Sequence, residues 1–149
     1  NQHNLCHQRA IHDNTFFIIY KYFTMTYLHQ DLTDRIIQCF FKVYNHLGFG
    51  FLEKVYQNAL SYEIQRAGMK TEAQKPIKVF YESLLVGEFY ADLVVDDRVI
   101  LELKAAESIA REHELQLINY LKSTDMEVGL LLNFGQKPGI RRKIFSNVR

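Results

Sequence analysis

Asp92, Glu102 and Lys104 are the residues of this 149-residue chain whose types and spacing could do chemistry. They lie in two β-rich runs, Phe89-Tyr90-Ala91-Asp92-Leu93-Val94-Val95 and Val99-Ile100-Leu101-Glu102-Leu103-Lys104, separated by Asp96-Asp97-Arg98. In an extended strand Glu102 and Lys104 share one face while Leu101 and Leu103 take the other. Asp92, in the preceding run, can face Glu102 across a ladder. Two carboxylates ~5 Å apart repel by about 3 kcal/mol at an effective dielectric of roughly 20. A hard divalent cation with oxygen ligands turns that repulsion into attraction. With Lys104 placed to orient or deprotonate a water, the set has the parts that metal-assisted phosphodiester hydrolysis needs. A structural ion pair of Lys104 with Asp92 or Glu102 would also meet the cost of burying charge, and the pattern alone leaves both readings open.

The two acids meet only in one register. Residue numbers of paired positions must sum to an even value, 92 with 102 and 95 with 99, because a slip of one residue turns every side chain to the other face. A two-residue turn at Asp96-Asp97 gives an odd sum. A three-residue connection, Asp96-Asp97-Arg98, or a bulge is therefore predicted, with an Asp or Arg in the left-handed region.

The elements that must position these residues follow from periodicity. From Asp31 to Leu47, Ile36, Ile37, Phe40, Val43, Tyr44 and Leu47 recur at helical spacing, and Gly48 can end the helix. A second helix is predicted from Phe51 to Ala67, with Leu52, Val55, Tyr56, Ala59, Leu60 and Ile64 on one stripe and Gly68 as its stop. After Pro76 come β-rich runs at Ile77–Tyr81, Leu84–Val95 and Val99–Leu103, spaced as an antiparallel meander. A third helix, from Glu107 to Lys122, turns Ile109, Leu117, Ile118 and Leu121 toward a core. The run Glu127–Phe134 is apolar on both faces and belongs in a covered sheet. The order ααβββαβ predicts an α/β protein with a mixed sheet flanked by helices, its last strand parallel to the third.

Residues 1–24 read as a poorly patterned N-terminal appendage, polar to Asn14 and then aromatic, and 25–149 as the folded domain with a basic C-terminal end. Met25 stands at the edge of the pattern. His3, Cys6, His7 and His12 match no standard ligand spacing. Cys6 and Cys39 form no CxxC pair, which points to a reducing, cytoplasmic setting. With 48% hydrophobic and 23% charged residues, seven Gly and two Pro, the composition excludes disordered and collagen-like chains. No apolar run approaches the ~20 residues of a membrane span, so no membrane partner is expected. The formal charge is +1, yet the last thirteen residues carry Lys137, Arg141, Arg142, Lys143 and Arg149 with no acid, leaving −4 on the rest. Local basic patches, not the whole-molecule field, must hold any phosphate.

These residues carry a family resemblance. Asp92 with Glu102-Leu103-Lys104 resembles the PD-(D/E)XK nuclease superfamily, and Gly50-Phe51-Leu52-Glu53-Lys54-Val55-Tyr56 matches the GxxExxY signature of one of its small families. The likeness runs from Met25 to Phe145 and includes Asn133-Phe134-Gly135 and the basic Arg141-Arg142-Lys143. The proline that often precedes the first acid is replaced here by Ala91. The resemblance implies a restriction-endonuclease-like fold and a nuclease using Mg²⁺ or Mn²⁺. Asp92, Glu102 and Glu53 would be metal ligands, with the Leu103 carbonyl as a further oxygen, and Lys104 would position the water. The pair Gln116 and Tyr120, one helical turn apart, resembles a fourth motif that lies close to metal and substrate in RecB-like members. Lys137, Arg141, Arg142 and Lys143 would bind nucleic acid, DNA before RNA, and cutting both strands of a duplex would favour a homodimer. Read without the family, Glu53 is an ordinary helix glutamate, Gln116 and Tyr120 are rim and core, and His113 is a surface histidine.

Other chemistries lack support. Gly48-Phe49-Gly50 begins like a dinucleotide fingerprint, but Glu53 stands where the third glycine should be, and no Walker A loop, HExxH or GxSxG occurs. The alternative from a different class is a noncatalytic nucleic-acid-binding or protein-interaction module that keeps the fold.

Overall fold

A computed structural model describes residues 15–24 and 27–147. His3, Cys6, His7, His12, Met25 and Arg149 lie outside the described residues. Helix α1 covers residues 15–24. It is followed by α2 (Gln30–Leu47), α3 (Glu53–Arg66), β1 (Thr71–Tyr81), β2 (Leu84–Val95), β3 (Val99–Lys104), α4 (Arg111–Lys122), β4 (Val128–Phe134) and β5 (Pro138–Ile144). The five strands form one sheet in the order β1-β2-β3-β4-β5. Only β3 and β4 run parallel, because α4 carries the chain across between them; β1–β2, β2–β3 and β4–β5 are antiparallel.

Both faces of the sheet are covered, which is why β4 is buried at every position. On one face α2 and α3 bring Ile36, Phe40, Tyr56, Leu60 and Ile64 against Leu93, Leu101, Leu103, Leu130, Leu132 and Phe134. On the other, Leu117, Tyr120 and Leu121 of α4 pack on Ile77, Ala91, Val94, Ile100 and Leu131. Gly129 permits that packing, since a Cβ there would sit 2.6 Å from Leu117 Cδ1. Ala91 and Leu93 are two residues apart yet join opposite clusters. The simple alternation of β2 therefore breaks at Asp92.

The structure adds to and corrects the sequence expectations. The basic segment after β4 is a fifth strand, making the order ααβββαββ after α1. α4 starts at Arg111, not Glu107, and Ile109 packs on the core from the preceding loop. The α3 stripe is narrower than expected, since Leu52 is 80% exposed and Val55 is also exposed. β1 begins at Thr71, before Pro76, and an edge strand tolerates that proline because its missing N–H has no ladder partner to lose.

Residues 15–24 are helical although their apolar run has no period, and all ten are exposed. Helix α1 meets the following segment at the Phe23–Tyr27 junction, where the Tyr27 N–H donates to the Phe23 carbonyl and the rings lie 4.8 Å apart. A chain of residues 25–149 should therefore lose less than about 1 kcal/mol in urea unfolding. A loss above ~2 kcal/mol would show that Phe16 to Phe23 packs into the domain. No helix among the described residues is long and apolar enough to cross a membrane.

Candidate metal centre at a fork between two strands

The site begins with the turn that sets its register. Asp96 and Asp97 both adopt left-handed backbone, φ 51° and 54°, within a three-residue connection. Short polar side chains tolerate that region better than bulky ones, and here the same acids are fastened. Asp96 Oδ1 accepts from the Lys70 N–H at 2.8 Å, and the Asp97 carboxylate takes the Lys70 and Lys75 ammonium groups at 3.0 Å each. The pairs that follow are Val95↔Val99, Val94↔Ile100 and Leu93↔Leu101, the even-sum register expected.

The ladder stops one pair short of Asp92 and Glu102, and their side chains take over its hydrogen bonds. The Asp92 N–H donates to Glu102 Oε1 at 3.3 Å, and the Leu103 N–H donates to Asp92 Oδ2 at 2.8 Å. The strands fork, and two carboxyls fill the fork. Glu102 is only 3% exposed. Burial, then the charge of Asp92, pushes its carboxyl up to about 8. Burial also raises Asp92, against the opposing pull of the Leu103 N–H and of Lys104. Lys104 acts on both acids through its field. Yet among the described residues no ion pair within 4.0 Å joins it to either acid, so the structural ion pair that the sequence left open does not form.

The helical acid is positioned by the glycines and tyrosine around it. Gly48 and Gly50 take φ 67° and 106°, which bends the chain from α2 into α3 at little steric cost. Tyr56 then pins the bend: its hydroxyl donates to the Gly48 carbonyl at 2.8 Å and accepts the Phe51 N–H at 3.2 Å. Its ring stacks on Phe134, with centroids 4.2 Å apart. Glu53 thus opens α3 and accepts the Ala105 N–H, one residue past Lys104, at 3.4 Å. Its charge adds to the field on Asp92 and Glu102. Among the described residues no group of three His, Cys, Asp or Glu is gathered closely enough to hold an ion by itself. Glu53 stands beside the acid pair, with one carboxylate oxygen on the loop after β3. Leu103 contributes its N–H to Asp92.

The donor set itself fits a hard cation. Two neighbouring carboxylates offer oxygen only, and Mg²⁺ commonly binds one or two carboxylates while keeping waters and substrate phosphate oxygens. On the α4 side, Gln116 Nε2 donates to the Tyr120 hydroxyl at 2.6 Å. Burial raises the Tyr120 phenol, helped by the charges of Glu102 and Asp92. Tyr120 also lines a groove of about 570 Å³ with Val79, Phe89, Leu115 and Asn119. His113 turns back instead, its Nδ1 accepting the Ala110 N–H at the start of α4 at 3.3 Å.

Sequence reasoning missed the parts that hold the loop after β3. Asn133, buried on β4 beside Lys104, donates to the Ala106 carbonyl at 2.9 Å and accepts its N–H at 3.0 Å. Gly135 lets the same carbonyl approach, since a Cβ there would lie 2.3 Å from it. Asn133-Phe134-Gly135 was legible as a family likeness, not as a device for position. Gln57 and Gln74, near Asp92, carried no signal at all.

The basic residues are less free than their sequence suggests. β5 alternates them: Arg141 and Lys143 both pair with Glu114 of α4, the former at 3.6 Å, whereas Arg142 donates to the Leu28 carbonyl. Lys137 is exposed at the β4–β5 turn. Arg142 is thus tied to the segment just before α2.

Searches of curated proteins and of solved structures return no match. A family model of the PD-(D/E)XK nuclease superfamily matches residues 30–143, from the start of α2 to the penultimate residue of β5. The five-stranded mixed sheet between helices is consistent with the restriction-endonuclease-like fold of that group, and the matched span contains the fork acids, Lys104 and the Asn133 lock. The chain belongs to the PD-(D/E)XK nuclease superfamily.

Proposed function

We propose that this protein is a metal-dependent nuclease of the GxxExxY type, hydrolysing phosphodiester bonds of nucleic acid, DNA in preference to RNA, with Mg²⁺ or Mn²⁺. The observation that carries the reading is the meeting of half-buried Asp92 and buried Glu102 at the fork, mutually repelling, with no cationic side chain within ion-pair distance among the described residues. A divalent ion bound there would polarise a phosphoryl oxygen and acidify a water.

The chain's own residues supply the rest. Asp92 and Glu102 hold the ligand oxygens in place through the Leu103 and Asp92 amides. Lys104 brings positive charge to the side of the acids where negative charge develops on phosphorus, and orients the attacking water. Glu53 fixes the loop that follows Lys104, and Gln116 aims the Tyr120 hydroxyl at the edge of the site. Lys137, with whatever share of Arg141 and Lys143 is not spent on Glu114, attracts the backbone phosphates.

The test is cleavage of single- and double-stranded DNA and RNA by purified protein with Mn²⁺ or Mg²⁺, with and without chelator. Cleavage of at least one class that chelation stops is the expected result. If all four substrates bind and none is cut with either metal, the protein is a noncatalytic module that keeps the fold.

A further inference from the structure

Gln74 has a backbone conformation that its place in the fold does not require. It sits inside β1, between the pairs Ala73↔Leu93 and Lys75↔Ala91, yet its φ is 51°. No turn interrupts the strand there, and a left-handed glutamine is strained. The residue is exposed, so core packing does not impose the conformation.

Its register and its side chain do offer a reason. By the flanking pairs Gln74 lies opposite Asp92. Gln74 Nε2 donates to Gln57 Oε1 at 3.0 Å, and the same side chain lies near enough to Asp92 to draw its carboxyl down against burial. Gln57 is buried, 5% exposed, on α3. It comes one helical turn after Glu53, hence on the same side of that helix. One face of α3 thereby serves the site twice, through Glu53 to the Ala105 loop and through Gln57 to Gln74, the residue opposite Asp92. The chemistry also fixes the direction of this relay. An ionised carboxylate only accepts, so with one amide hydrogen of Gln74 on the Gln57 oxygen, it is the other that can be offered to Asp92.

We propose that Gln74 is a positioning residue: anchored on Gln57, its amide holds the Asp92 carboxyl in the orientation that a divalent cation needs, and the left-handed backbone at position 74 is retained for that task. The inference rests on the reading of Asp92 and Glu102 as metal ligands. Ligand-orienting groups of this kind are worth roughly 10- to 100-fold in metal affinity.

The experiment is calorimetric Mn²⁺ binding, paired with thermal melting in metal-free buffer, on the full chain and on Gln74→Gly, Gln57→Leu and the double variant. Glycine accepts the φ without strain, so Gln74→Gly should melt no lower than the parent and still bind Mn²⁺ about tenfold more weakly. Gln57→Leu should weaken binding less. Combined with Gln74→Gly it should add nothing, because both act through one amide. If Gln74→Gly also lowers the melting temperature, Gln74→Asn, which accepts the same backbone region with a shorter side chain, is judged by the same affinity loss. Parent binding with Gln74→Gly within twofold of it, or effects of the two substitutions that multiply, overturns the positioning role alone. A parent that binds no Mn²⁺ overturns the metal-centre reading together with it.

Discussion

Glu102→Gln should abolish metal-dependent cleavage, by at least about a hundredfold, and yet make the metal-free protein more stable at pH 8. The fork holds a carboxyl whose folded-state titration is raised to about 8 by burial and then by Asp92, while in an unfolded chain it titrates near the ordinary glutamate value of about 4.3. Below that value both states are protonated, and the stability contribution is fully present. As pH rises the unfolded chain gives up the proton first, so stability falls through the window and the loss is complete only above about 8. Across the window the change is roughly 3–5 kcal/mol. Glutamine keeps an oxygen for the Asp92 N–H and carries no charge. The melting curves of parent and variant should therefore lie close together at pH 5 and separate steadily toward pH 8, with Mn²⁺ raising only the parent. A separation that does not change with pH would mean that Glu102 bears no uncompensated charge in the folded state.

Gly135→Ala should be among the most damaging single-methyl changes to this fold. The added Cβ would meet the Ala106 carbonyl at 2.3 Å and the Asn133 amide nitrogen at 2.9 Å. Neither can give way cheaply, because Asn133 and Ala106 hold each other through two hydrogen bonds. A shift of that loop breaks at least one of them in a half-buried setting, for which a loss of roughly 2–4 kcal/mol in urea unfolding is expected. The same shift moves Ala105 off Glu53, so cleavage should fall as well. Gly87→Ala is the control. Its Cβ would meet the exposed Phe89 ring at 3.2 Å and Val79 Cβ at an ordinary 3.8 Å, and should cost below about 1 kcal/mol. Equal losses for the two variants would show that the Ala106 lock carries no special weight.

How much of this was legible in the sequence depended on whether the cause was local. The register of the fork was readable because three residues between two apolar runs admit few pairings, and Asp96 and Asp97 accept the left-handed backbone needed. α2 and most of α3 were readable from their apolar period. β5 was not, because Pro138-Gly139-Ile140-Arg141-Arg142-Lys143-Ile144 carries too few apolar residues to announce a strand. What makes it one is supplied from elsewhere, by pairing to β4 and by Glu114 and Leu28 taking its cations. The late start of α4 has a similar origin, since Asn133 holds Ala106 in a loop that local preference would continue as helix. Asp92, Glu102 and Lys104 stood out because charge interrupts a buried run. Gln57 and Gln74 did not, because a glutamine on a helix or before a strand looks the same whether it faces water or a carboxylate.

The fork also changes what it means for β2 and β3 to part. In an unbroken ladder a main-chain amide exchanges its hydrogen with water only when the strands separate. The Asp92 and Leu103 amides are instead held by side-chain carboxyls, so a turn of one side chain frees each of them without opening the sheet. Whatever draws either carboxyl away unlatches a backbone amide in the same motion. Amide hydrogen exchange at these two positions thus reports the state of the acids directly, and the end of the β2–β3 pairing frays or closes with the chemistry it holds.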